Sequence, residues 1–265
     1  MKNIKAIHWF RQDLRLLDNP AFYDATKNSS ILPIYILDDK NSKEFSMGEA
    51  SRFWLHHSLT SLDKSLDENL SIYQGDPLGI IFEIIDRLNI EEIYWNRCYE
   101  PWRTKRDMHI KKELESKGIK VNTLNGSLLW EPWTIKKEDG TPYKVFTPFF
   151  RKGCLQSDEP RKPLPAPNNL DLFHDSDQSL EVNDLALLPS IRWDTEMKPF
   201  WNIGEDGAHK RLSEFLDSGI ANYKNGRNFP AKPFVSRISP HIHFGEISPN
   251  QVWYTAKIKG NNESI

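Results

Sequence analysis

Short runs of apolar and β-branched residues recur through the first 124 positions, at 4–10, 31–37, 70–73, 91–95 and 119–124. They are continuous rather than alternating, which predicts parallel strands covered on both faces. The stretches between them carry helical periodicity. Leu55, Leu59, Leu62 and Leu66 trace one apolar stripe, and Leu78, Ile81, Phe82, Ile85 and Leu88 trace a second behind Asp76 as N-cap and Pro77 at the first helical position. Asp18, Asn19 and Pro20 read as another helix start, and Thr104 is expected to cap a third helix with Asp107 at its third position. Five such alternations predict an α/β fold with a doubly wound, parallel five-stranded sheet and right-handed crossovers.

The texture changes after Leu124. Residues 131–200 hold nine prolines and few periodic stretches, which predicts a long connector rather than a second sheet. Helical periodicity returns at Ala208, Leu212, Phe215 and Leu216 and again over 252–258. The expected organisation is an α/β domain over 2–132, a linker over 133–200, and the beginning of a helical domain over 201–265.

Composition narrows the picture only modestly. Apolar residues make up 38% and charged residues 27%, and the net charge of −2 provides no global basic field for nucleic acid. Two cysteines, Cys98 and Cys154, make no disulfide framework and suit a reducing, cytoplasmic setting. The apolar runs are strand-length, so no membrane span is expected, and the chain enters a strand without a signal-peptide core. No GxGxxG, Walker loop or GxSxG elbow is present. His241 and His243 have a ligand-like spacing without further ligands nearby, which fits helix-capping or surface histidines better than a metal. Cys98 is expected to be a small buried hydrophobe, and most of the nine tryptophans to be core.

The most informative chemistry lies in residues 223–249, YKNGRNFPAKPFVSRISPHIHFGEISP. Ser236, Arg237 and Ser239 form a hydroxyl-rich basic cluster between two helical stretches, with Pro230, Pro233 and Pro240 expected to hold the intervening backbone out of helix. Such a turn suits a phosphate; an ordinary helix cap is the alternative reading. At the other end, Arg11, Asp13 and Arg15 alternate in sign just beyond the first strand, at the carboxyl edge where open α/β sheets bind ligands. Mutual pairing that fixes the loop is the expected role of these charges.

Both segments resemble the photolyase/cryptochrome family, and the chain is most similar in pattern to the class I cyclobutane pyrimidine dimer photolyases. WFRQDLRLLDNP (9–20) resembles the family's opening strand and loop, WNRCYEPWRTKRD (95–107) the loop lining its antenna pocket, and PYKVFTPFFR (142–151) its interdomain linker. The linker aromatics are expected to pack on the sheet. Gly204, Glu205 and Ala208 resemble the first helix of the flavin domain. The resemblance implies that Tyr223, Val235, Ser236, Arg237, Ile238 and Ser239 bind FAD, the last five as its phosphate turn, and that Arg227 lies at a DNA-binding face. Val235 stands where many members have Thr. Trp102 and Arg103 replace an Asn–Glu pair of folate-binding members, and an Arg cannot accept the hydrogen bonds of a pterin, which argues against a folate antenna.

The implied function is light-driven repair of pyrimidine dimers in UV-damaged DNA, with a flipped-out dimer, electron transfer from reduced FAD and no side chain acting as acid or base. A cryptochrome-type blue-light receptor is the alternative, and a nucleotide-binding α/β domain without flavin a third. The chain is expected to be a monomer. Family members run to nearly twice this length, so it is also expected to be incomplete in the helical domain and inactive by itself.

Overall fold

The computed structural model describes residues 4–27, 29–229 and 231–260. Its centre is a five-stranded parallel sheet in the order β3-β2-β1-β4-β5. The strands are β1 (Ile4–Phe10), β2 (Ser29–Leu37), β3 (Ser71–Gln74), β4 (Glu92–Asn96) and β5 (Lys120–Leu124). Between them run α1 (Pro20–Ala25), the single turn α2 (Asp39–Ser42), α3 (Glu49–Ser65), α4 (Pro77–Leu88) and α5 (Pro101–Ser116). The chain winds outward from β1 to β3, returns to β4 on the other side of β1, and ends at β5, as a doubly wound sheet requires.

Both faces are covered, and the continuous apolar strands follow from that. Ala6, Phe10, Ile31, Tyr35 and Leu37 pack on one face with Phe22 of α1 and the Leu55–Leu59–Leu62 stripe of α3, which ends at Leu66. Ile7, Trp9, Leu32, Ile34 and Ile36 pack on the other with Ile81, Ile84 and Ile85 of α4 and Ile110 and Leu114 of α5. All nine residues of β2 are buried. The caps at two helix starts are as expected: Asn19 accepts the Phe22 amide and Asp76 the Gly79 amide.

The third helix start is not. α5 begins at Pro101, three residues before Thr104, because proline's fixed φ suits the first helical position. Thr104 lies inside the first turn and its hydroxyl donates to the Cys98 carbonyl at 3.2 Å. Asp107 is therefore a buried mid-helix residue rather than an N-terminal one, and it holds the guanidinium groups of Arg11 and Arg106.

The charged side chains of the 11–15 loop fix it without forming ion pairs with one another. Arg11 pairs with Asp107 and also donates to the Asn96 carbonyl, while its backbone amide donates to Asp13 at 2.7 Å. Asp13 also accepts the Asn96 side-chain amide at 2.6 Å, and that amide donates to Asn19 at 2.7 Å. The crevice between the carboxyl ends of β1 and β4 is thus occupied by the protein's own hydrogen bonds. Arg15, buried, donates to the carbonyls of Asp18, Gly126 and Gly245 at 2.7, 2.7 and 2.9 Å.

The connector after β5 contains one turn of helix, α6 (Phe146–Pro148), a π turn at Phe149–Gly153 and several 3-10 turns. Its later part lies along the sheet. Leu172 bridges Ile31 in parallel, Leu180 bridges Ile72 antiparallel on the open side of β3, and Asp175 ties Tyr73 to Arg87. The aromatics of 142–151 do not pack on the sheet as expected. Phe146 is 71% exposed and stacks on Phe150 at 5.8 Å.

Beyond the connector come α7 (Glu205–Glu214), a π turn at Phe215–Gly219, α8 (Tyr223–Gly226), α9 (Ser239–Phe244) and α10 (Pro249–Gly260). Ala208, Leu212, Leu216, Ile238 and Ile247 form their common core. This part is bound to the α/β sheet through the first loop. Leu14 donates its amide to Phe244, Glu205 accepts the amides of Leu16 and Leu17 at 2.8 Å each, and the Ser248 hydroxyl donates to Asp18 at 2.5 Å.

Three further expectations change. Pro240 sits in the first turn of α9, where its missing N–H costs nothing, rather than holding the chain out of helix; Pro230 lies outside the described residues. His241 is 1% exposed and bonded to Glu246, so of this pair His243 alone lies at the surface. Only Trp9, Trp54 and Trp95 of the nine tryptophans are buried, and Trp133 is 53% exposed. Cys98 is buried as expected, and its thiol is pushed up by burial and partly held back by Arg11.

Candidate cofactor cleft

α7 ends by widening into the π turn at Phe215–Gly219, and the chain doubles back through α8 to the 231–239 turn. A cleft of about 410 Å³ lies between the two arms. Arg211, Glu214 and Phe215 form one wall, and Val235, Ser236 and Arg237 the other. Three of the five residues expected in the phosphate turn therefore come together.

The remaining two turn residues are placed differently. Ile238 is 6% exposed and turns its side chain into the helical core, and Ser239 opens α9 and is exposed. Tyr223 reaches the site indirectly, edge-to-face with Phe215 at 5.7 Å, and the Arg227 guanidinium lies 5.9 Å from the Tyr223 ring. Arg237 adopts a left-handed backbone with φ 52° and is exposed, an uncommon conformation for a non-glycine residue. The Ser236 hydroxyl accepts the Ile238 amide at a long 3.5 Å, so its own proton is free to donate to a ligand.

Two guanidinium groups against one carboxylate, with a free hydroxyl, suit a phosphate or pyrophosphate. Among the described residues no group of His, Cys, Asp and Glu could hold a metal. Arg211 and Glu214 were missed in the sequence because they lie on the polar side of an otherwise ordinary amphipathic helix.

A second cavity, of about 310 Å³, opens at the carboxyl edge of β4 between Trp95, Cys98, Asp107, Met108 and Trp133. Trp102 and Arg103 do not line it; the Arg103 guanidinium lies over the Trp102 ring at 4.6 Å. No described helix is long and apolar enough to cross a membrane.

A doubly wound parallel sheet joined by a long connector to a cluster of short helices defines an α/β protein with a helical annex. The family model for DNA photolyase matches residues 6–168, and the chain belongs to that photolyase/cryptochrome family. It is 36% identical to a deoxyribodipyrimidine photo-lyase of Agrobacterium fabrum over 97% of its own length and 54% of that protein's. It is 32% identical to Cryptochrome-2 of Arabidopsis thaliana over 96% of its length and 43% of that protein's. A crystal structure described as a bacterial class III photolyase from Agrobacterium tumefaciens superposes with a TM-score of 0.91 at 36% identity, over the whole of this chain and 55% of that one. A Synechocystis cryptochrome, at 24% identity and a TM-score of 0.86, shares the fold. The chain spans about half the length of the deoxyribodipyrimidine photo-lyases it matches.

Proposed function

We propose that the protein acts in light-driven repair of pyrimidine dimers in DNA, as a photolyase, with FAD as its cofactor. The observation that carries this reading is the cleft at 235–237, which opposes Ser236 and Arg237 to Arg211 in a turn that resembles the family's flavin-phosphate turn. When bound, reduced FAD supplies the light-driven electron. The protein's part is to hold it: Ser236 and Ser239 would donate to the pyrophosphate, Arg211 and Arg237 would neutralise it, and Tyr223 would lie on the adenosine side. Arg227 would contact the phosphate backbone of damaged DNA, and the organisation would be an α/β domain over 2–132, a linker over 133–200 and helical flavin-domain sequence over 201–265. Monomeric, cytoplasmic action is part of the proposal.

The similar structure described as a class III photolyase favours that class over class I. The cryptochrome reading rests on the nearly equal identity of Cryptochrome-2, 32% against 36%. An oligonucleotide carrying a thymine dimer, incubated with the protein in the dark and under blue light, separates the two. Light-dependent loss of the dimer supports repair, and flavin photoreduction without dimer loss supports the receptor.

A further inference from the structure

We propose that Trp54, Glu246 and His241 form a buried positioning relay through which the α/β domain fixes the 235–239 turn. The proposal rests on the reading of that turn as a flavin-phosphate site.

Glu246 is fully buried, and a carboxylate there is tolerated only when its oxygens are bonded. One oxygen accepts Nε1 of Trp54 at 2.9 Å, and the other meets Nδ1 of His241 at 2.5 Å. Trp54 belongs to α3 of the α/β domain, while His241 lies in the middle of α9 and Glu246 just past its end. Trp54 also stacks on Phe244 at 6.1 Å and meets the His241 ring edge-on at 5.0 Å. The relay thus grips the carboxyl end of α9, whose other end is Ser239.

Within the six residues of α9, His241 stands two residues, about 3 Å of helix rise, after Ser239, and Glu246 lies two residues past Phe244. The Ile242 amide donates to the Ile238 carbonyl at 3.0 Å, and Ile238 is buried, so motion at one end is passed to the other. None of the three relay residues lines the cleft. The opposite wall is anchored in the same way: α7 is held at its far end by Glu205 on the amides of Leu16 and Leu17. Both walls are rooted in the α/β domain and line the cleft at their free ends. The relay residues are therefore positioning residues, acting through the helix and not by contact.

The test uses the full chain, first without any ligand. In W54F the ring still packs on Phe244 but the N–H is gone; E246L removes both acceptors; E246Q keeps an acceptor for Trp54. Amide hydrogen exchange at Ile242, His243 and Phe244 should speed up at least tenfold in W54F and E246L, with Ile7 and Trp9 of β1 unchanged. In E246Q it should stay within threefold of the parent. Titration with FAD, followed by flavin fluorescence, should show at least a tenfold weaker Kd for W54F. Unchanged exchange at 242–244 in W54F, or an increase spread equally over the sheet, overturns the relay. If E246L does not fold, W54F decides. Should exchange respond as stated while the parent chain binds no FAD, the relay stands and the flavin reading of the turn falls.

Discussion

Gly245→Ala isolates the joint between the α/β sheet and the helices that form the cleft. Gly245 has φ 71°, and a Cβ there would lie 2.0 Å from the Gln12 carbonyl oxygen and 2.5 Å from Cα of Asp13. Both obstacles are backbone, so no rotamer change relieves them. Relief requires the 11–15 loop and the 244–248 turn to part by more than 1 Å, roughly the gap between 2.0 Å and an ordinary contact. That separation breaks the Leu14 amide bond to Phe244 at 3.2 Å and the Arg15 bond to the Gly245 carbonyl at 2.9 Å. A neutral hydrogen bond contributes about 1 kcal/mol and one to a charged group about 1.5–3 kcal/mol. The left-handed conformation adds about 1–2 kcal/mol for alanine. The sum is about 4–6 kcal/mol. Gly140→Ala is the control: its φ is 77°, yet a Cβ there meets nothing within 4 Å, so only the conformational cost applies. Urea unfolding followed by tryptophan fluorescence should therefore separate the two variants by about 3 kcal/mol. Equal costs for the two would refute the docking account.

Burial lowers the pKa of His8 to about 4, only partly opposed by Asp13 and reinforced by Arg11. Between pH 6.5 and 4 the unfolded chain binds the extra proton, so stability falls by about 3 kcal/mol as pH drops through this window. His8→Leu should flatten that slope in denaturant titrations at pH 7, 5.5 and 4.5, and an unaltered slope would rule His8 out as its source. Asp107→Ala leaves Arg11 and Arg106 without their shared carboxylate and should cost about 3–5 kcal/mol, against far less for the exposed pair partner Asp24→Ala. Arg227→Ala should weaken binding to dimer-containing DNA for every flanking sequence and reduce the salt slope by about one charge, measured by fluorescence anisotropy; a sequence-dependent loss would count against a phosphate contact.

The sheet was legible because its signal is local. Continuous apolar runs and the Asp76–Pro77 and Asn19–Pro20 starts involve neighbours in sequence, and the structure places those elements within a residue or two of their expected bounds. Thr104 misled because a good cap residue stood three places after a proline that could begin the helix earlier. The cleft was legible only as a turn. Its opposite wall, Arg211 and Glu214, comes from a helix with no motif of its own. The joint was invisible for a different reason: Arg15 meets Gly245 across 230 positions and Trp54 meets Glu246 across 192. Nothing in local periodicity or composition reports such pairs. The same limit explains His241, whose surface reading fails because Glu246 and Trp54 enclose it.

The central claim is that the 235–239 turn and its facing wall hold the flavin phosphates. Binding of FAD to the chain, measured by quenching of flavin fluorescence and compared between the parent and the Ser236→Ala, Ser239→Ala double variant, tests it most directly. Loss of two hydrogen bonds to an anion, about 1.5–3 kcal/mol each, predicts at least a hundredfold weaker Kd in the double variant. Equal affinity in the two proteins, or no binding by the parent, would contradict the claim.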